Sequence, residues 1–180
     1  RYIPRTSNTA GIVTGYNIYV SDSEEGKAEL IYTGNMPSSY DVKEIPFGFN
    51  VKNVKTVILE ITEGMYNFGV VAEFDLMAGI SSQNDLDISG AALGKSIEIG
   101  KEGKGLYSDM LIDKALWKVT ATTVNKGFVP ENTIDGKAET YWHSDYRTES
   151  DMDKPPFYLT YNLGKNETVG GIVYTPRTDN

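Results

Sequence analysis

The sequence predicts an all-β sandwich, and three observations carry that expectation. Short alternating or apolar runs rich in β-formers recur near both ends of the chain. Clusters of Gly, Ser, Asn and Asp separate them. Nothing in the first part holds a helical period for three turns, which counts against an α/β arrangement.

In chain order, Tyr16–Val20, Glu29–Tyr32, Val57–Ile61 and Val70–Phe74 read as strands. From Ala78 to about Ala115 the character changes to Ser81-Ser82-Gln83-Asn84-Asp85 and then a Gly/Lys stretch, Gly94 to Gly105. This reads as a connector with room for a short strand at Ser96–Ile99, since a long structureless loop inside a compact domain is unusual. The β pattern resumes with Trp117–Thr122, Phe157–Leu163 and Gly171–Tyr174. Between them, Asn125 to Pro156 is rich in loop formers and aromatics, and loops at the ends of a sandwich are where binding residues collect.

Composition narrows the functions. The 180 residues allow one domain of ordinary size. With 17 basic against 25 acidic residues the formal charge is −8, which opposes attraction to nucleic acid and to anionic lipid. No apolar run approaches the roughly 18 residues of a membrane span, so no membrane insertion is expected. The chain has no cysteine, hence no disulfide, thiolate metal site or cysteine nucleophile. It starts inside an apparent strand, as expected of a piece of a longer protein.

One phrase occurs at both termini: Tyr2-Ile3-Pro4-Arg5-Thr6-Ser7-Asn8 and Tyr174-Thr175-Pro176-Arg177-Thr178-Asp179-Asn180. Two copies of one strand-to-loop unit imply either a repeat or a module cut and rejoined in another order.

Residues Trp117-Lys-Val-Thr-Ala-Thr, Pro130 to Gly136, Thr140-Tyr141-Trp142-His143-Ser144, Leu163-Gly164 and Tyr174 to Arg177 resemble the N-terminal half of a discoidin domain, the coagulation factor 5/8 type C domain. Its bacterial carbohydrate-binding members form carbohydrate-binding module family 32. Tyr2 to Arg5, Gly15 to Ser21 and Ala72-Glu73-Phe74 resemble the C-terminal half. The resemblance implies a galactose-binding-like jelly-roll sandwich whose halves stand in inverted order: 1–77 as the C-terminal-half-like part, 78–115 as the connector and 116–180 as the N-terminal-half-like part. Two arrangements follow. The chain folds as one circularly permuted sandwich, since the termini of a compact domain often lie close together, or it joins the tail of one module to the head of the next. An isolated half would expose an apolar face and open edges, so completion is expected within one chain or by strand exchange in a homodimer.

Asp135-Gly136 reads on its own chemistry as a turn and Glu73 as a solvated strand residue. The resemblance implies instead a structural Ca²⁺ held by the carboxylates of Asp135 and Glu73, the Thr140 hydroxyl, and the backbone carbonyls of Asn132, Lys137, Thr140 and Ala72, a hard-oxygen set of the kind calcium takes. For glycan contacts it points to His143, to the Arg of the repeated phrase, and to Phe68, with Tyr66 and Tyr146 as auxiliaries. Sugars are held by an aromatic surface under their C–H face and by polar groups on their hydroxyls. Only one copy of the repeat can occupy the site. Arg177 is favoured because it continues from the segment carrying His143, while Arg5 with Asn8 is the alternative. Trp117 and Trp142 are expected in the core.

Catalysis is not expected: the single histidine has no nucleophile-elbow context, and no carboxylate pair stands out. Gly90 to Ser96 mimics a phosphate-binding loop with wrong spacing and wrong surroundings. The expected role is a noncatalytic module for galactose-type or N-acetylated terminal sugars, on a secreted or cell-surface bacterial protein. A discoidin-like protein-interaction or spacer module is the alternative.

Overall fold

The structure is a computed structural model that describes residues 10–80, 85–89, 107–146 and 154–177. The first copy of the repeated phrase with Arg5 and Asn8, the Gly90 to Ser96 motif, the expected strand at Ser96–Ile99, and Asn180 lie outside the described residues. The strands are β1 (Val13–Ser21), β2 (Glu29–Asn35), β3 (Lys43–Gly64), β4 (Val70–Val71), β5 (Glu73–Gly79), β6 (Leu86–Asp87), β7 (Tyr107–Leu111), β8 (Lys118–Ala121), β9 (Trp142–His143) and β10 (Phe157–Thr175). Two short 3-10 turns, Met65–Asn67 and Pro130–Thr133, are the only helical segments among the described residues. No helix there is long and apolar enough to cross a membrane.

Two long strands build both layers of a β-sandwich. The second half of β3, from Thr56 to Gly64, pairs with β1, and β1 pairs with β2. The first half of β10, Phe157 to Asn162, pairs with Thr56 to Ile61 of β3 on one side and with β8 on the other. In the second layer, Gly171 to Tyr174 of β10 lies between Lys43 to Pro46 of β3 and Phe74 to Met77 of β5. Strand β5 pairs outward with β7, and β6 runs parallel to β3 at Val51 and Lys52.

The crossovers have local causes. Asn53 takes a left-handed φ of 63° where β3 passes between layers, and Gly164 takes 76° where β10 does. A Cβ on Gly164 would lie 2.7 Å from the Leu116 Cβ, so a side chain is excluded there by space as well as by conformation. The runs Phe157–Leu163 and Gly171–Tyr174, expected as separate strands, are thus two ends of one bent strand. The stretch expected as a connector contributes β6 and β7 to the sheet edges.

Rings from opposite layers close the core. Phe74 of β5 stacks on Tyr161 of β10 at 4.4 Å, and Tyr32 of β2 meets Phe47 of β3 at 5.2 Å. Trp117 packs edge-on to Tyr161, and Trp142 is fully buried, both as expected. Period-2 alternation explains the burial of Val57, Leu59 and Ile61 along β3. Glu60 between them points outward yet stays buried, its carboxylate accepting hydrogen bonds from Asn17, Tyr19 and Tyr158 at 2.7 to 2.8 Å. Three donors compensate the desolvation of one charge.

Candidate functional site

A two-stranded ribbon brings distant segments to one end of the sandwich. Val70 and Val71 of β4 pair with His143 and Trp142 of β9. Just outside the ribbon the Ser144 N–H donates to the Gly69 carbonyl at 2.9 Å, and the Gly69 N–H donates back to Ser144 Oγ at 3.1 Å. Phe68 and His143 are fixed beside each other by these bonds, with ring centroids 5.8 Å apart. A Cβ on Gly69 would approach Phe157, Ile61 and Trp142 at 3.0 to 3.2 Å, so this close approach favours glycine.

Further backbone bonds add the other walls. The loop after β8 clamps β9 from the far side: the Asn125 N–H donates to the His143 carbonyl, and the His143 N–H to the Phe128 carbonyl. Trp142 Nε1 donates to the Thr123 carbonyl at 2.9 Å. At the end of β10, the Thr175 carbonyl accepts the Ala72 N–H at 2.9 Å, which sets where Arg177 leaves the sheet. The buried Tyr174 hydroxyl donates to the Val70 carbonyl and accepts the Val13 N–H, tying β1, β4 and β10 together.

The result is a pocket of about 210 Å³ lined by Ala10, Phe68, Phe128, Tyr141, His143, Tyr146 and Arg177. Of the residues expected to contact a ligand, His143, Arg177, Phe68 and Tyr146 converge there. Tyr66 does not line it: the residue is exposed, in a left-handed turn with φ 61°. Phe128 and Tyr141 were not anticipated. They stack at 4.7 Å, and the Arg177 guanidinium lies over the Tyr141 ring at 5.2 Å. The signal for Tyr141 was present in the sequence, because strand alternation puts Tyr141 and His143 on one face and Trp142 on the other.

His143 is buried, and its Nδ1 lies 2.6 Å from the Ser144 carbonyl. A carbonyl can only accept, so Nδ1 carries the proton and Nε2 keeps a lone pair. Burial holds the imidazole below its ordinary pKa, with the Arg177 charge acting the same way and the Ser144 carbonyl and Asp145 opposing. The unfolded chain takes up this proton near pH 6.5, the folded protein only at lower pH. Between the two values the unfolded state binds more protons, so stability rises with pH. The contribution is complete above about pH 6.5 and is lost as pH falls through the folded value. Melting temperatures measured from neutral to mildly acidic pH are expected to fall more steeply for the wild type than for His143→Gln; parallel curves would refute this.

Beside the pocket, oxygens from two segments converge. The Lys137 N–H lies 2.9 Å from both Glu73 Oε1 and Asp135 Oδ1. The Thr140 hydroxyl lies 2.7 Å from Asp135 Oδ2 and 3.0 Å from the Lys137 carbonyl, and its one proton serves only one of them. Asn132 Nδ2 donates to the Tyr141 carbonyl, linking this loop to β9. Ala72 is fully buried next to Glu73, itself buried rather than solvated. Burial holds the Glu73 carboxyl above its ordinary value, with Asp135 adding to it, against the Lys114 ammonium and the Lys137 N–H. Against its own burial, Asp135 is held below its ordinary value by the Thr140 hydroxyl and the Lys137 N–H.

Acceptors outnumber donors at this point, and all are hard oxygens, so the donor set fits Ca²⁺. Among the described residues no group of three or more His, Cys, Asp or Glu is placed to hold a metal. An ion here would therefore need the Thr140 hydroxyl and backbone carbonyls besides the two carboxylates.

Comparison with known proteins matches this end of the chain. Residues 118–180 match the F5/8 type C domain family. Over 158 residues, 81% of the chain, it is 25% identical to an A type blood N-acetyl-alpha-D-galactosamine deacetylase of Flavonifractor plautii, covering 18% of that protein. Over 68 residues, 38% of the chain, it is 32% identical to a galactose oxidase of Gibberella zeae, covering 10% of that protein. The chain thus spans less than a fifth of the length of either relative. The fold is an all-β, galactose-binding-like sandwich, and from residue 118 onward its sequence is similar to the F5/8 type C domain.

Proposed function

We propose that this chain is a noncatalytic carbohydrate-binding module for galactose-type or N-acetylated terminal sugars. The observation that carries this reading is the convergence of a neutral imidazole, a guanidinium and aromatic rings in one small pocket. Rings accept the C–H face of a pyranose, the imidazole lone pair accepts from a hydroxyl, and the guanidinium donates to ring or hydroxyl oxygens. The names of the two relatives, a deacetylase for N-acetyl-alpha-D-galactosamine and a galactose oxidase, support the choice of sugar class. A pocket of this size contacts few atoms, so affinity is low and the module acts by holding a larger secreted or surface protein near glycans through multivalency.

Isothermal titration against galactosides and N-acetylhexosamines tests the reading. Saturable heat with at least one of them is expected. A flat trace across the panel would refute sugar binding and leave a protein-interaction or spacer role.

The module is read as complete in one chain with its halves inverted. Pairing of β10, from the second part of the chain, with β3 and β5 of the first supports this reading. Ca²⁺ is assigned a structural role between Glu73 and the Asp135 to Thr140 loop. There it ties β5 to the segment that continues into β9, and a calcium-dependent rise in Tm of the chelator-stripped protein is its signature.

A further inference from the structure

We propose that Lys114 is a built-in competitor for the cation site, an ammonium that holds Glu73 when no ion is bound and sets how tightly an ion binds. This rests on the calcium reading above and adds a residue that neither the repeat nor the family resemblance points to.

The Lys114 ammonium bridges Glu73 Oε2 and Asp75 Oδ1, the latter at 2.7 Å. Residues 73 and 75 of β5 point to the same side, so one ammonium can serve both. Glu73 Oε1 meanwhile faces the Lys137 N–H of the Asp135 loop. A single carboxylate is therefore held on one oxygen by the loop that would carry the ion and on the other by a fixed positive charge.

The lysine is anchored at its backbone. Ile112 donates its N–H to the Leu76 carbonyl at 2.8 Å, Trp117 donates to the Lys114 carbonyl at 2.9 Å, and both side chains are buried. The Lys114 side chain is itself largely covered, with 17% exposed. Such a charge is poorly screened by solvent, so it opposes a divalent ion through like-charge repulsion as well as by occupying Glu73. Asp75 gives the ammonium a place to stay when Glu73 turns to the ion, so the exchange leaves no buried charge unpaired.

The test is calcium titration of chelator-stripped wild type, Lys114→Met and Lys114→Gln, read by calorimetry and by Tm with and without the ion. Calcium is expected to bind both variants about 10- to 100-fold more tightly than the wild type. Their ion-free Tm falls, and calcium restores it. Lys114→Arg, which keeps the charge, stays near wild type. If the wild type shows no calcium response while Lys114→Met binds the ion, the competition stands in its strongest form. If wild type and variants bind calcium equally, Lys114 is a structural ion-pair partner only, and this proposal fails while the calcium site survives. If none binds, both fail.

Discussion

Trp142→Ala is expected to lower Tm by about 10 °C. Removing a fully buried tryptophan costs about 3–5 kcal/mol, and in a domain of this size each kcal/mol moves Tm by about 2–4 °C. The loss exceeds an ordinary cavity in its consequences, because Trp142 is a rung of the β4–β9 ribbon and anchors the loop after β8 through Thr123. Phe68, His143 and Phe128 all depend on that ribbon for their mutual placement. Sugar affinity is therefore expected to fall together with stability, and Trp142→Phe to recover much of both. A Tm drop of less than about 3 °C by calorimetry would show that the ribbon is not held by this ring.

Arg177→Ala is expected to remove measurable sugar binding while leaving Tm within about 2 °C of wild type. Charge-assisted hydrogen bonds are worth about 1.5–3 kcal/mol, a loss of roughly 10- to 150-fold, which takes an already weak site out of range. The partly buried Arg177 side chain lines the pocket over Tyr141 and lies outside the apolar core cluster. His143→Ala should abolish binding as well, but with a clear loss of stability, because His143 is buried and its ring packs against Phe68, Phe128 and Tyr146. Titration of both variants beside melting curves separates the two behaviours. Unchanged affinity in Arg177→Ala would exclude the pocket as the sugar site.

Much of the strand layout was legible because alternation is a local property. Tyr16–Val20 and Val57–Ile61 show it plainly and form the centre of the first layer. The first half of β3 carries no plain strand pattern, since Pro46, Gly48, Asn50 and Asn53 interrupt the alternation. Pairing with the far end of β10 overrides those local preferences. The bend of β10 at Gly164 was hidden for a related reason: a strand that changes layers reads in sequence as two strands with a turn between them.

The site divides in the same way. His143, Arg177 and Phe68 were legible through resemblance to loops of a known domain, and the structure brings them together around one pocket. Phe128 has no local signal, because a loop aromatic has no period to reveal its partner, whereas Tyr141 shares a face with His143 by strand alternation. Lys114 had no local signal at all. Its role depends on two carboxylates 39 and 41 residues earlier in the chain, brought within reach only when β5 and the segment before β8 pack against one core.

By itself, then, the sequence determined the all-β class, the acidic charge balance, and which residue types were available for a sugar and for an ion. These follow from composition and period-2 patterning, which act over a few residues. Tertiary structure alone decided that β3 and β10 run through both layers, that a four-residue ribbon welds the His143 and Phe68 loops, and that an ammonium faces the proposed ion site. Each is a contact between segments far apart in the chain. Such contacts are selected by burial of shared apolar surface and by satisfaction of buried backbone donors, which no local pattern encodes.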